Sequence, residues 1–158
     1  PIARAMGAKG VVAIDIDPDK RAAALAGGAL AAVDPRVPEA LALVQAAVGG
    51  APACVIDFVG SPMTSELGFN LLAKGGRLVM VGLFGGAATF PLAMIAVRGI
   101  TIAGNLVGNL ADMTELMALV SAGKVASIPI LKRPLDEADA ALSALRQGHV
   151  VGRTVLIP

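Results

Sequence analysis

The chain has 158 residues, of which 56% are apolar and only 3% aromatic, and its 13 basic and 12 acidic residues leave a net charge of +1. This length suits one domain with one sizeable core, and the balanced charge, without a basic cluster or aromatic stacking platform, argues against a nucleic-acid partner. A single cysteine and a single histidine exclude an intrachain disulfide and a Cys/His zinc site within these residues. We therefore expect a reducing compartment, the cytoplasm.

Short apolar strands alternate with helices along the chain, after the end of a helix at Ile2–Met6. The predicted strands are Val11–Ile16, Ala31–Val33, Ala53–Val59, Arg77–Leu83, Ile100–Ala103, Ile128–Leu131 and Thr154–Ile157. The predicted helices are Pro18–Ala26, Pro38–Val48, Met63–Leu72, a turn at Met94–Val97, Ala111–Ser121 and Asp136–Arg146. This alternation, with short connections, predicts an α/β fold with a Rossmann-like, doubly wound parallel sheet.

The uncharged stretch Leu78–Val97 is long enough for a membrane-spanning helix. Gly82, Gly85, Gly86 and Pro91 interrupt it, so we expect a strand, a glycine-rich loop and a short helix instead, with no membrane partner. The N-terminal residues also lack the ordered regions of a signal peptide.

The segment VVAIDIDPDK, Val11–Lys20, is the candidate nucleotide site. Ligands of open parallel sheets bind beyond the carboxyl ends of the strands, where an Asp such as Asp15 can accept the ribose hydroxyls of an adenosine and repel a 2'-phosphate. The alternative is that Asp15 caps the following helix, although Asp17 suits that role. The chain contains no Gly-x-Gly turn, so we expect the first strand and its glycine-rich turn to lie upstream of Pro1.

Five segments resemble, in order, the cofactor-binding domain of the zinc-dependent alcohol dehydrogenases of the medium-chain dehydrogenase/reductase superfamily. They are VVAIDIDPDK, VIDFVG, GGRLVMVGL, GITIAGNLVGNLAD and HVVGRTVLIP. The resemblance implies that residues 1–158 form a partial NAD(P)-binding Rossmann domain, truncated at the N-terminus, and that the N-terminal catalytic domain is absent from this chain. In the strand order 3-2-1-4-5-6 the missing first strand is central. We therefore expect an unfilled slot between strands 2 and 4.

The resemblance also implies an oxidoreductase that transfers a hydride between an alcohol or aldehyde and NAD, with zinc bound only by the absent domain. No residue of this chain is assigned as catalytic or as a metal ligand, and these residues alone are expected to be inactive. A homodimer or homotetramer through the apolar edge strand Ile100–Ala103 is implied as well. Two alternatives are a zinc-free quinone oxidoreductase of the same superfamily and a non-catalytic nucleotide-binding or assembly domain.

The resemblance assigns a set of residues to the cofactor. Asp15 and Lys20 would hold the adenosine ribose, Phe58, Val59 and Gly60 would line the adenine side, Val81, Gly82 and Leu83 would pass under the nicotinamide ribose, Asn105, Leu106 and Val107 would lie by the carboxamide, and Arg153 would reach the pyrophosphate. The alternatives are turn chemistry for the two glycines and solvated side chains for Lys20 and Arg153.

Three polar or reactive residues outside this set have structural interpretations. Asp57 lies within an apolar strand and is expected to find hydrogen-bonding partners without a catalytic role. Cys54 is predicted to be a small core residue, and His149 to lie at the surface or in a turn.

Overall fold

A computed structural model describes all 158 residues and contains seven α-helices and seven β-strands. The helices are α1 Ile2–Ala5, α2 Pro18–Ala26, α3 Ala40–Val48, α4 Pro62–Leu71, α5 Leu92–Arg98, α6 Leu110–Ser121 and α7 Ala138–Arg146, the last preceded by a 3-10 turn, Leu135–Glu137. The strands are β1 Val12–Ile14, β2 Ala31–Val33, β3 Cys54–Asp57, β4 Arg77–Met80, β5 Thr101–Gly104, β6 Ile130–Pro134 and β7 Arg153–Ile157. The predicted α/β class is confirmed.

All strand pairs are parallel, but they form three sheets instead of one continuous sheet. β1 pairs with β2, β4 lies between β3 and β5, and β6 pairs with β7. β1 and β3 are not hydrogen-bonded to each other. The predicted final strand, β7, joins β6 in a separate sheet with α7 as the crossover between them.

Side-chain caps fix the starts of three helices. Asp17 caps α2, with Oδ1 accepting from the Asp19 N–H at 2.8 Å, and Pro18 occupies the first turn. Ser61 and Thr64 form a capping box at α4, and Asn109 and Asp112 form one at α6. Each box satisfies backbone N–H groups that have no partner within the helix. The prediction that Asp17 caps the helix is confirmed.

Helix α4 connects two hydrophobic clusters of the core. Leu71 lies in the first cluster, with Val33, Ala40 and Val44. Phe69 of the same helix and Leu72, which follows the helix directly, lie in the second cluster, with Leu78 and Ile100. Neighbouring side chains at the C-terminal end of α4 therefore pack against both the β1–β2 sheet and the β3–β4–β5 sheet.

The strands are shorter than the apolar runs predict. The runs Ala53–Val59 and Arg77–Leu83 form strands only as far as Asp57 and Met80, and their last apolar residues belong to loops. Phe58 is 73% exposed and Leu83 80%. Each run of apolar residues therefore includes both a strand and the first residues of the loop that follows it.

The prediction that Cys54 is a core residue is wrong, because Cys54 is exposed. Successive side chains of a strand point to opposite faces. Val55 and Asp57 of β3 point toward α4, whereas Cys54 and Ile56 point away from it and are exposed. A continuous apolar run predicts that both faces of the strand are covered by other parts of the chain. In the structure only the face toward α4 is covered.

No helix of this chain has both the length and the apolar character needed to cross a membrane. The stretch Leu78–Val97 forms most of β4, a glycine-rich loop and most of α5. His149 is exposed and lies in the turn between α7 and β7, as predicted.

Candidate functional site

The carboxyl ends of four strands position the predicted cofactor residues. Ile14 is paired with Val33, and Asp57 with Met80, which is paired in turn with Gly104. The next residues continue this pairing through backbone hydrogen bonds, from the Val81 N–H to the Asp57 carbonyl at 2.8 Å and from the Asn105 N–H to the Met80 carbonyl at 2.9 Å. The loops after β3, β4 and β5 therefore leave one edge of the sheet side by side.

Asp15 follows β1 directly and is half-buried. Its Oδ1 accepts a hydrogen bond from the Asp17 N–H at 2.9 Å, while Oδ2 has no protein partner. Because Asp17 caps α2, the carboxylate of Asp15 is not needed for that role. One of its oxygens remains available to an external donor.

Lys20 lies on α2 with its side chain 38% exposed, and its Nζ is 3.8 Å from Oδ2 of Asp17. The pKa of Asp17 lies below its ordinary value, mainly because its carboxylate accepts a hydrogen bond from the Asp19 N–H. The positive charge of Lys20 lowers this pKa further. The turn at Gly148 approaches the same ammonium group. Lys20 thus lies in the first turn of the helix that follows Asp15, and its ammonium group is near the C-terminal segment.

Asp57 organises the loop that begins at Phe58. Its Oδ1 accepts from the N–H groups of Val59 and Gly60, both at 2.9 Å, and its Oδ2 accepts from the hydroxyls of Thr64 and Ser65, both at 2.9 Å. Burial raises the pKa of this carboxyl, but the four hydrogen bonds together lower it below its ordinary value. The prediction of a satisfied, non-catalytic Asp57 is confirmed for its partners.

Gly60 and Gly82 are required by contact between the two loops. Gly60 has a φ of +71°, and a Cβ there would overlap the Gly82 carbonyl group. A Cβ on Gly82 would in turn overlap the Val59 carbonyl group. The Phe84 N–H donates to the Val59 carbonyl at 3.0 Å and continues the contact. Close packing of backbone against backbone is therefore sufficient to explain both glycines.

The loop after β5 carries the one non-glycine residue with a positive φ. Val107 has a φ of 53°, which is rare for a β-branched side chain and costs of the order of 1–3 kcal/mol. Asn105 Nδ2 donates to the Val107 carbonyl at 3.2 Å and supports the bend. Leu106 and Val107 are both largely exposed.

Apolar side chains form an exposed rim on these loops. The rim consists of Phe58, Val59, Leu83, Leu106 and Val107. Ligand sites combine an apolar lining of this kind with a few polar groups. Here the free carboxylate oxygen of Asp15 is such a group.

Arg153 is the predicted residue that no contact joins to this edge. It begins β7, and its side chain donates to the Gly152 carbonyl at 3.0 Å. Its guanidinium makes no hydrogen bond or ion pair with the loops after β1, β3, β4 or β5. Arg153 is exposed, so its donors are accessible.

Three charged residues beside Asp15 were not predicted. Arg21 donates to the Asp15 carbonyl at 2.7 Å, and Arg36 donates to the Ile16 carbonyl at 2.9 Å. Both arginines are paired with Asp34, the residue that follows β2. The rule that singled out Asp15, an acid at the carboxyl end of a strand, applies equally to Asp34.

The donor set fits the adenosine end of a dinucleotide. A carboxylate with one free oxygen suits a pair of ribose hydroxyls, and the exposed apolar side chains on the loops after β3, β4 and β5 suit a base. No three His, Cys, Asp or Glu side chains lie close enough together to hold a metal ion.

The chain matches known proteins in sequence and structure. A family model described as zinc-binding dehydrogenase matches residues 1–122. An NAD-dependent alcohol dehydrogenase from Sulfurisphaera tokodaii is 32% identical and an alcohol dehydrogenase from Rhizobium meliloti 34% identical, over 99% and 98% of this chain. The crystal structure of the alcohol dehydrogenase from Aeropyrum pernix superimposes with a TM-score of 0.88 at 34% identity.

These matches cover only part of each relative. The chain corresponds to 46% of the Sulfurisphaera protein, 44% of the Rhizobium protein and 45% of the Aeropyrum structure. It therefore spans less than half the length of these relatives.

Proposed function

Because the chain belongs to the zinc-binding dehydrogenase family, we propose that it is the NAD-binding portion of an alcohol dehydrogenase. The observation that carries the proposal is the carboxylate of Asp15 at the end of β1, with Oδ2 free and the helix-capping role taken by Asp17. A carboxylate there favours the free 2'-hydroxyl of NAD and repels the 2'-phosphate of NADP. The NAD-dependent relative from Sulfurisphaera supports the same cofactor.

Each loop at the strand ends has a proposed part in holding the cofactor. Asp15 and Lys20 bind the adenosine ribose, Phe58 to Gly60 line the adenine side, Val81 to Leu83 pass beneath the nicotinamide ribose, Asn105 to Val107 lie beside the carboxamide, and Arg153 binds the diphosphate. When bound, the nicotinamide supplies the hydride-transfer chemistry. The residues of this chain bind and orient it, and none of them moves a proton.

We also propose that these residues work as part of a longer protein. Their solvent-accessible surface is 10533 Å², whereas a compact monomer of this mass exposes about 7,300 Å². β1 has no hydrogen-bonded neighbour on the side away from β2, and an unpaired strand edge inside a core is costly. A further strand between β1 and β3, together with a catalytic domain that binds zinc and the alcohol or aldehyde, would cover this surface.

The test is a binding and activity measurement on the complete gene product. Calorimetric titration with NAD⁺ and NADP⁺ should show binding of NAD⁺ and preference for it, and the protein should oxidise simple alcohols with NAD⁺. Zinc content measured by atomic absorption separates the alcohol dehydrogenase from a zinc-free reductase. A gene product that binds neither dinucleotide contradicts the proposal.

A further inference from the structure

A carboxylate at the end of β2 holds two arginines beside the ribose-binding loop. Asp34 Oδ1 accepts from Nε of Arg36 at 2.8 Å, and Oδ2 accepts from Nη2 of Arg36 at 2.5 Å and from Nη1 of Arg21 at 3.2 Å. The Arg36 N–H donates to the same Oδ1 at 3.0 Å. The pair with Arg36 is therefore bidentate, the geometry that orients a guanidinium most strongly.

Both arginines also reach the backbone that carries Asp15. Nη1 of Arg21 donates to the Asp15 carbonyl at 2.7 Å, and Nη2 of Arg36 donates to the Ile16 carbonyl at 2.9 Å. The side chain of Arg36 is 62% exposed, whereas those of Arg21 and Asp34 are only 21% and 17% exposed. Two guanidinium groups thus lie at the acid that would bind the ribose, and one of them faces solvent.

A guanidinium at this position is the group that dinucleotide sites use to accept a 2'-phosphate. In this chain the donors of both arginines are turned toward Asp34 and toward backbone carbonyl groups. The hydrogen bond from Arg36 is the main cause that holds the pKa of Asp34 well below its ordinary value, so the carboxylate stays ionised at neutral pH.

We propose that Asp34 is a specificity-determining residue that keeps Arg21 and Arg36 from binding a 2'-phosphate beside Asp15. This inference rests on the proposed dinucleotide site and deepens it. Asp15 acts by repelling the phosphate, and Asp34 acts by neutralising and orienting the two groups that would attract it. Removing the charge of Asp34 frees both arginines while Asp15 remains.

The test compares two small probes that contain only the adenosine half of the cofactors. Adenosine 5'-monophosphate and adenosine 2',5'-bisphosphate are titrated into the complete gene product and into its Asp34→Asn variant. The affinity for the bisphosphate relative to the monophosphate is expected to rise about tenfold in the variant, because charge-assisted hydrogen bonds to a phosphate become available. High salt should reduce the gain.

Asp19→Asn is the matched control. Asp19 is an exposed carboxylate on α2 whose side chain has no arginine partner, so the same change in charge should alter the ratio less than about twofold. Adding Arg36→Gln to Asp34→Asn should return most of the gain. A purely structural role for Asp34 predicts weaker binding of both probes and an unchanged ratio.

Asp34→Ser is a second neutral variant, because its hydroxyl can still accept from the Arg36 N–H and support the turn. An unchanged ratio in both folded variants, or an equal rise in Asp19→Asn, overturns the proposal. Failure of both neutral variants to fold also overturns the proposal, because Asp34 would then be required for folding and not for specificity. A native protein that binds neither adenosine probe and neither dinucleotide contradicts the proposed function itself, which distinguishes the two failures.

Discussion

Replacing Asp15 with Ala removes the carboxylate that would accept the ribose hydroxyls and repel a 2'-phosphate. We expect the catalytic efficiency with NADP⁺ relative to NAD⁺ to rise about tenfold or more, because a charge-assisted hydrogen bond is lost with one cofactor and a repulsion with the other. Steady-state kinetics of the complete gene product with both cofactors measures this ratio.

Asp15→Asn is the control for the conformation of the loop. It keeps an acceptor for the Asp17 N–H but carries no charge, so it should also relax the selectivity. An unaltered preference for NAD⁺ in both variants would contradict the role of Asp15.

Asp57→Asn tests the acid that holds the loop after β3. Asn keeps only one acceptor oxygen for four donors, so the variant should lose about 1–3 kcal/mol of stability and show a lower Tm. The pKa of Asp57 is lowered by folding. Its stabilising effect is therefore complete above the unfolded pKa of about 3.9 and is lost as the pH falls through the lower, folded value.

The difference in Tm between the native protein and Asp57→Asn should accordingly be constant from pH 7 to about pH 5 and shrink below about pH 4. Thermal melts followed by circular dichroism at each pH provide the measurement. Asp19→Asn, at an exposed site, should show little difference at any pH. A difference for Asp57→Asn that persists undiminished to pH 2 would count against the ionised network.

Local rules predicted the position of Asp15 at the end of a strand, the cap that Asp17 provides and the hydrogen-bonded surroundings of Asp57. The role of Asp15 toward a cofactor stays a prediction. The same strand-end rule applies to Asp34, but its arginines could not be found in this way, because Arg36 reaches a carbonyl group twenty residues earlier in the chain. That contact exists only because β1 and β2 are paired, and this pairing cannot be deduced from the local sequence.

At the level of elements, β5 forms the outer edge of the β3–β4–β5 sheet. We propose that this edge pairs with a second copy of the protein. Thr101 is exposed and begins the strand, and lysine on an edge strand opposes strand pairing. Thr101→Lys should therefore halve the particle mass or shift it toward monomer.

Size-exclusion chromatography with light scattering measures that mass. Thr101→Val adds no charge and retains strand propensity, so its particle mass should match that of the native protein. Equal masses for the lysine variant and the native protein would exclude pairing through this edge.

Helices were predicted more closely than strands. Caps and terminating glycines bound α2 and α6 to within a residue of the prediction, because these signals lie in the local sequence. The predicted strands extend beyond the observed ones, because Phe58 and Leu83 continue an apolar run into exposed loops. Hydropathy alone cannot distinguish a buried strand from an apolar segment of an exposed loop.

At the scale of the whole molecule, the separation of the β1–β2 sheet from the β3–β4–β5 sheet agrees with the gap that was expected between strands 2 and 4. The separate sheet formed by β6 and β7 was not predicted. The order of the strands and the burial of each sheet face depend on which distant segments of the chain pack together. Cys54 and Ile56, for example, are exposed because α4 packs only on the other face of β3. The alternation of strands and helices therefore predicted the class of fold, but not the separate sheet of β6 and β7.

Few side chains of this chain are buried in a hydrophobic core. Only 13 of 158 residues are buried, too few for an independent domain of this length, since folding must offset a loss of about 1–2 kcal/mol of backbone entropy for each ordered residue. We therefore expect the intact gene product to have roughly twice the 15.7 kDa mass of these residues, in line with the 46% of the Sulfurisphaera relative that they cover.

Intact-protein mass spectrometry of the native product tests this expectation directly. A product of about 35 kDa would supply the surface that covers the gap between β1 and β3, and its zinc content and alcohol oxidation could then be assayed. A stable product of 15.7 kDa would have to cover its apolar surface by association with another chain. The proposal of an alcohol dehydrogenase would then be replaced by one of nucleotide binding or assembly, because no three His, Cys, Asp or Glu side chains of this chain lie close enough together to hold a metal ion.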